Sequence, residues 1–551
     1  MVRLLLKLSL KDWVLYAGWA ASGVIGGGVV VGSPLWAAPG VQVASSGPSG
    51  MQAGEKTPPD ETEIRPMPED STTSHTLSVQ GASQSYTASA GTLLIRDEKN
   101  KPQASLFYTA YLLEGEKEGA GDKNKRVSAF RSSRPVAFFF NGGPGAGSAF
   151  LNIGAAGPYV MEFPEALPTD GAHARLLPNP DTWLTHTDMV FIDAPGTGYS
   201  QVADSKSAAG KFYGIKEDGK VFAKAIQVWL SHYGRQFSPV FLVGESYGGV
   251  RAIETANALQ SEQGNIVSGL VMISPAIEMN LLVDTVSNPL ATALQLPVLE
   301  AAHLEGENQL DDKKLNDAYH YATGPYVQKL IGPIAERHSA FYQELAHRTG
   351  LDEKVIARQF GQIDASSHDI RSRNGRLYSL YDFTLSIQDP YPEGSGEDSP
   401  DPVLYGFGQI FGTAYAGYLA HQLNYITDHT YQLLNLAVNS QWSFTSKGEN
   451  LGIHELPVLR KLLAINPSLQ VFIANGYFDL VCPFPTSRWV KEHIPVGADR
   501  IGLHLYKGGH MVYLRPASRK ALSEDVGHFF QQVQAPPTFP QTHPTSNEGA
   551  Q

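Results

Sequence analysis

Val240-Phe-Leu-Val-Gly-Glu-Ser-Tyr-Gly-Gly-Val250 joins an apolar, β-prone run to a helix-forming one through a string of small residues. Its centre, Gly244-Glu245-Ser246-Tyr247-Gly248, matches G-x-S-x-G. The strand pattern before it and the helical pattern over Val250–Gln260 supply the context in which that motif carries chemistry. Small residues let the backbone turn sharply enough to push the Ser246 hydroxyl out of a sheet edge, leaving the N–H of Tyr247 aimed at a developing oxyanion. A serine at its free pKa is a weak nucleophile, so a base and an orienting acid are expected, in the chain order Ser, Asp or Glu, His. Asp479, in the loop after Val471-Phe-Ile-Ala, and His510, in Gly508-Gly-His-Met511 after the strand-like Ile501–Tyr506, satisfy that order. Of the 17 histidines, His510 alone has the strand-then-Gly-Gly setting. Asp193, after Val190-Phe-Ile, precedes Ser246 and has the wrong order, so it is expected to shape a loop beside the site. Asn141-Gly-Gly-Pro-Gly145 follows Val136–Phe140, where backbone N–H groups can line an oxyanion hole, and Gly143 is the second donor expected.

The same kind of apolar run recurs at Pro135-Val-Ala-Phe-Phe-Phe, Met189-Val-Phe-Ile, Leu270-Val-Met-Ile and Leu469-Gln-Val-Phe-Ile-Ala. Unbroken apolar runs with helical stretches such as Lys220–His232 between some of them fit strands buried on both faces of a mainly parallel sheet. Shorter β-prone runs from about Thr76, around Gly91–Arg96 and Ala104–Leu113, suggest an antiparallel lead-in. Between Glu278 and Gln441 strand-like runs largely disappear, and helical patterns around Asp311–Tyr321, Tyr326–Thr349 and Phe411–Val438 take over. The expected order is a first part of the α/β core over 76–277, a helical cap inserted over 278–441 and a second part of the core over 442–534. The Glu/Asp/Gly/Ser/Pro cluster at 393–402 reads as a solvated loop.

At the amino end, Arg3, Lys7 and Lys11 precede an apolar Gly/Ala-rich run, Trp13–Val31, and Ala37-Ala38 offers a small-residue cleavage point. Residues 1–37 are expected to be an export signal cut near Ala38; left uncut, the run is long enough to anchor the chain in a bilayer, and only then is membrane contact expected. The protein is thus expected to be exported, periplasmic or secreted. The Pro/Ser/Gly/Thr-rich stretch 38–75 reads as a linker and 535–551 as a disordered tail.

The 551 residues are 42% hydrophobic and 17% charged, enough apolar material for a large core. Lys plus Arg number 42 against 54 Asp plus Glu, a formal charge of −12, the wrong sign for a general nucleic-acid binder. Cys482 is the single cysteine, so intramolecular disulfides and cysteine-cluster metal sites are excluded. It reads as a small buried hydrophobe in preference to a reactive thiol.

Asn141-Gly-Gly-Pro-Gly, Gly244-Glu-Ser-Tyr-Gly-Gly, Asp479 and Gly509-His-Met, in that order, resemble the serine carboxypeptidase family, α/β-hydrolases that remove C-terminal amino acids. Asn179-Pro-Asp-Thr-Trp-Leu and Phe191-Ile-Asp-Ala-Pro-Gly-Thr-Gly-Tyr-Ser look like its bacterial branch. The resemblance implies Ser246 as nucleophile, His510 as base, Asp479 as its partner, and the N–H groups of Gly143 and Tyr247 as oxyanion hole. It further implies that Asn141, Gly142 and Glu245 grip the terminal carboxylate of a peptide or protein, with no metal or organic cofactor. Phe139 stands where many eukaryotic members have Trp, and Ala155 near where they place a second glutamate. A serine esterase or acyltransferase using the same triad, and a binding protein that keeps the fold without turnover, are the alternative readings.

Overall fold

The computed structural model describes residues 64–533, except 80–81, 115–133, 164–166, 168–170, 284–286, 394–398 and 445–451. The expected export signal (1–37) and tail (535–551) lie outside the described residues, as does the linker up to residue 63.

A 10-stranded sheet organises the chain. It opens with three antiparallel strands, β1 (Ser71–Val79), β2 (Ala82–Arg96) and β3 (Pro102–Leu113). Its centre is β4 (Val136–Phe140), followed in the chain by a separate two-stranded pair, β5 (Tyr159–Glu162) and β6 (Arg175–Pro178). Next come β7 (Asp188–Ile192), the short β8 (Gln201–Val202) beside β3, β9 (Val240–Glu245) and β10 (Gly269–Ile273). A second small sheet, β11 (Ser372–Arg373), β12 (Arg376–Tyr378) and β13 (Ser386–Gln388), precedes β14 (Gln470–Gly476) and β15 (Ile501–Tyr506) of the main sheet. The spatial order is β1-β2-β3-β7-β4-β9-β10-β14-β15, and β7, β4, β9, β10, β14 and β15 run parallel to one another.

Successive strand side chains point to opposite faces, and the two faces have separate cores. Phe138, Phe140, Leu242, Leu270 and Val471 face helices α1 (Ile215–His232) and α2 (Tyr247–Glu262). Ala137, Phe139, Phe241, Val243 and Phe472 lie on the other face. This is the α/β-hydrolase fold: a parallel sheet covered on both sides, with a sharp turn from β9 into α2. Every loop expected to carry chemistry leaves the carboxyl end of a parallel strand, where ligands bind in such sheets.

The long helix α3 (Pro289–Gly306), not anticipated from the sequence, packs with α4 (Asp312–Tyr321) and α5 (Ser339–Thr349) around a third core that includes Leu299, Leu315, Tyr326 and Leu345. The expected continuous helical stretch Tyr326–Thr349 breaks at Gly332-Pro333, since proline lacks the N–H that a helix interior requires. The block 278–441 is mostly helical, as expected, but not purely so. It contains the β11–β13 sheet, and α6 (Ile410–Gln422) returns to the main sheet, where Phe411, Tyr415 and Leu419 share a core with Phe139 and Phe191. The stretch expected to be helical through Val438 stops at Gln422, with Asn424 in the left-handed region. The linker expected over 38–75 also ends earlier: β1 begins at Ser71, in register with Ala90 of β2. Its Ser/Thr-rich run escapes a hydrophobicity reading because an edge strand with one open face needs few apolar residues. Among the described residues no helix is long and apolar enough to cross a membrane.

Candidate active site

Ser246 links β9 to α2 with φ 61° and ψ −124°, a backbone region that costs a non-glycine residue about 1–3 kcal/mol. Three backbone hydrogen bonds hold it there: Ser246 N–H donates to Ile273 O (2.9 Å), and Ser246 O accepts from Gly249 N (2.9 Å) and Ala276 N (3.1 Å). Gly244 is required by contact, since a Cβ there would lie 1.9 Å from Gly248 O. The serine stays half-buried while its neighbours on either side are buried.

Asp479 and His510 leave the carboxyl ends of β14 and β15 and meet: His510 Nδ1 and Asp479 Oδ2 are 2.8 Å apart, and both residues are buried. The second oxygen of Asp479 accepts from the N–H groups of Val481 (2.8 Å) and Cys482 (2.9 Å), so the carboxylate is fixed on both sides. His510 is anchored by its own backbone, donating to Tyr381 O at 2.6 Å and accepting from Ser274 Oγ at 2.8 Å, while the Tyr381 ring stands edge-on to the imidazole. Burial alone would lower its pKa, but the charges of Asp479 and then Glu245 outweigh burial and raise it. Asp193 takes no part in this pair: it binds Ser148, Tyr199 and Tyr431, which makes it the organiser of a neighbouring loop.

The loop after β4 lies directly on the turn after β9. A Cβ on Gly142 would fall 2.6 Å from Tyr247 N and 2.9 Å from the Ser246 Cβ, so only glycine allows this approach. Gly143 follows with φ 99°. Asn141 donates through Nδ2 to Glu245 Oε2 and accepts from Leu151 N through Oδ1 (3.2 Å). Its backbone carbonyl accepts from Arg251 Nη1, while Arg251 Nε donates to Asp218 Oδ2 at 2.7 Å, both side chains being fully enclosed. In a planar trans peptide the carbonyl and the next N–H point opposite ways, so tying Asn141 O to α2 leaves Gly142 N–H directed away from Arg251.

Glu245 is 4% exposed. Its Oε1 accepts from the Tyr513 hydroxyl at 2.8 Å. Burial pushes its pKa up to about 7, against the lowering effects of His510, Tyr513 and Asn141 and with a smaller raising effect of Asp479. All eight residues singled out in the sequence therefore gather at one set of strand ends. Tyr513, Arg251 and Cys482 join them unforeseen. Burial, then the Asp479 charge, push the pKa of the Cys482 thiol well up, while its backbone N–H donates to Asp479. Its position three residues after Asp479 was a signal available in the sequence; the roles of Tyr513 and Arg251 had none.

This geometry can run acyl transfer: a strained, half-open serine, an imidazole polarised by a buried carboxylate, and glycine N–H groups packed against the turn. Residues 97–329 match a family model described as serine carboxypeptidase. That match makes the region similar to serine carboxypeptidases, over less than half of the chain. It contains Asn141, Gly142, Gly143, Glu245, Ser246 and Tyr247; Asp479 and His510 lie beyond it and are tied to the matched region by the hydrogen bonds and contacts above.

Similar curated proteins are named as carboxypeptidases. The pheromone-processing carboxypeptidase of Vanderwaltozyma polyspora is 24% identical over 357 residues, 63% of this chain and 44% of that protein. The retinoid-inducible serine carboxypeptidase of Rattus norvegicus is 26% identical over 375 residues, 66% of this chain and 71% of that protein. Serine carboxypeptidase-like 51 of Arabidopsis thaliana is 31% identical over 155 residues, 26% of this chain and 30% of that protein. The chain spans less than half the length of the first of these relatives. Among solved structures, a proline iminopeptidase of Mycobacterium smegmatis overlaps 81% of this chain and 98% of its own, with TM-score 0.34 and 14% identity.

Proposed function

We propose that this protein is a serine-type carboxypeptidase that hydrolyses the C-terminal peptide bond of peptides or proteins through an acyl-enzyme on Ser246. His510 takes the Ser246 proton and passes it to the leaving amino acid, with Asp479 holding Nδ1–H and stabilising the imidazolium. The N–H groups of Gly143 and Tyr247 receive the oxyanion. Water then releases the shortened peptide.

The observation that carries the reading is the buried pair Glu245–Asn141 beside Ser246. With its pKa near 7, Glu245 keeps its proton in mildly acidic solution and can donate to a terminal carboxylate, together with Asn141 Nδ2 and Gly142 N–H. An endopeptidase or simple esterase has no use for such a carboxylate grip. The segments Asn179–Leu184 and Phe191–Ser200 support placement in the bacterial branch, and the basic, apolar amino end supports export to the periplasm or the medium.

One peptide offered as free acid and as C-terminal amide tests this by mass spectrometry. Release of single C-terminal residues from the free acid, with kcat/KM well above that for the amide below about pH 7, is expected. Equal kcat/KM for the two forms at every pH from about 4 to 8, or turnover of esters only, sinks the reading and moves the assignment to an esterase, acyltransferase or endopeptidase with the same triad.

A further inference from the structure

Tyr513 sits in a short 3-10 turn, Val512–Leu514, three residues after His510, so the loop that carries the imidazole also delivers a phenol to Glu245. The hydrogen bond, 2.8 Å long, joins two buried side chains separated by 268 positions. Room for the ring comes from a π-helical turn over Asn152–Ala156: a Cβ on Gly154 would lie 2.8 Å from Tyr513 Cε2 and 3.0 Å from the Phe411 ring. Ala155, beside Gly154, is the position near which the resemblance places a second glutamate in eukaryotic relatives. Here a neutral donor contacts Glu245 where a like-charged acid would repel it. Glu245 is thus held at both oxygens, Oε1 by Tyr513 and Oε2 by Asn141. The other titratable groups that face it are His510, Asp479 and Cys482.

We propose that Tyr513 is a positioning residue for recognition of the substrate's terminal carboxylate: it fixes Glu245 through Oε1 and so presents the Oε2–Asn141 edge to the incoming anion. The inference rests on the reading of Glu245 given above.

The phenol has a second consequence. An O–H donated to a carboxyl oxygen favours the ionised form, so Tyr513 opposes the upward pull of burial on Glu245. Removing the hydroxyl therefore loosens the carboxyl and moves its titration to higher pH, two effects that a mere packing role does not produce together.

The test uses the full chain carrying Ser246→Ala, which binds without turnover, and calorimetric titration of one peptide as free acid and as amide between about pH 4 and 8. Adding Tyr513→Phe should weaken free-acid binding on the acidic plateau by roughly 10-fold, the scale of a hydrogen bond to a charged group. It should move the pH of half-lost affinity upward by roughly half a unit or more, and leave amide binding unchanged. Equal weakening of free acid and amide with an unmoved midpoint overturns the role of Tyr513 alone. A parent protein with no free-acid preference overturns the Glu245 reading and the Tyr513 role with it. Should Tyr513→Phe fail to fold, Gly154→Ala, which drives a methyl into the Tyr513 ring, must move the midpoint in the same direction or the proposal fails.

Discussion

At Ser246 the backbone is held in a strained conformation by three hydrogen bonds, and the residue stays half-buried between buried neighbours. Ser246→Ala or His510→Ala is expected to lower kcat by roughly 10⁴-fold or more with the melting temperature little changed, because members of such a unit fail together. Asp479→Asn should cost less than either. Near-normal turnover by Ser246→Ala on every substrate the wild type cleaves would remove Ser246 from the chemistry. Glu245 gives a pH signature. Protonated, it donates to a carboxylate; ionised, it repels one, so KM for free-acid peptides should rise as pH passes about 7. Glu245→Gln keeps a donor and loses the titration, and steady-state kinetics across pH should show a flat KM for free acids and no change for amides.

The elements differ in how much change they tolerate. At the β9–α2 turn a Cβ on Gly244 meets the Gly248 carbonyl at 1.9 Å, backbone against backbone. Gly244→Ala should therefore destabilise the protein by more than about 3 kcal/mol or prevent folding. Gly417 lies inside α6 with nothing within 4 Å of its Cβ position, and Gly417→Ala should stabilise by about 0.5–1 kcal/mol through the unfolded chain's lost freedom. Urea titration of the two variants measures both. The parallel strands were legible because residues buried on both faces write an unbroken apolar run. Helix α3 was not, for its sides are almost evenly apolar and Pro297 interrupts the pattern, yet Leu294, Leu296 and Leu299 are buried in the insertion's own cores. Strand β1 was hidden for the opposite reason, being polar on an open face and defined only by its partner β2.

Across the whole molecule, buried acids link stability to pH. Burial raises Glu245 to about 7 and Asp193 to about 6, so the folded protein holds protons that the unfolded chain has already released. Stability should then fall as pH rises from the ordinary carboxyl range, near 4, to about 7, and His510, whose pKa is raised, acts in the same direction. Glu492 and Asp389, whose pKa values are lowered, act oppositely toward acid pH, and His75, His186 and His504, lowered by burial, act oppositely below about 6.5 and reduce the fall without reversing it. A urea midpoint that drops between about pH 5 and 8, less steeply in Glu245→Gln, is the expected result; a rising midpoint contradicts it. The proposed export makes a separate prediction: protein recovered outside the cytoplasm should begin near Ala38, and an intact Met1 on soluble cytoplasmic protein would defeat it. The order of nucleophile, acid and base, and the strands that carry them, follow from the sequence alone, because a turn between strand and helix is written in adjacent residues. The choice of Asp479 as the partner of His510, foreseen from chain order, is visible as a contact only in the fold. The Tyr513–Glu245 and Arg251–Asn141 bonds and the return of α6 to the sheet were decided by tertiary structure. They join positions 110 or more residues apart, and which buried donor meets which buried acceptor is set by packing, which local periodicity does not encode.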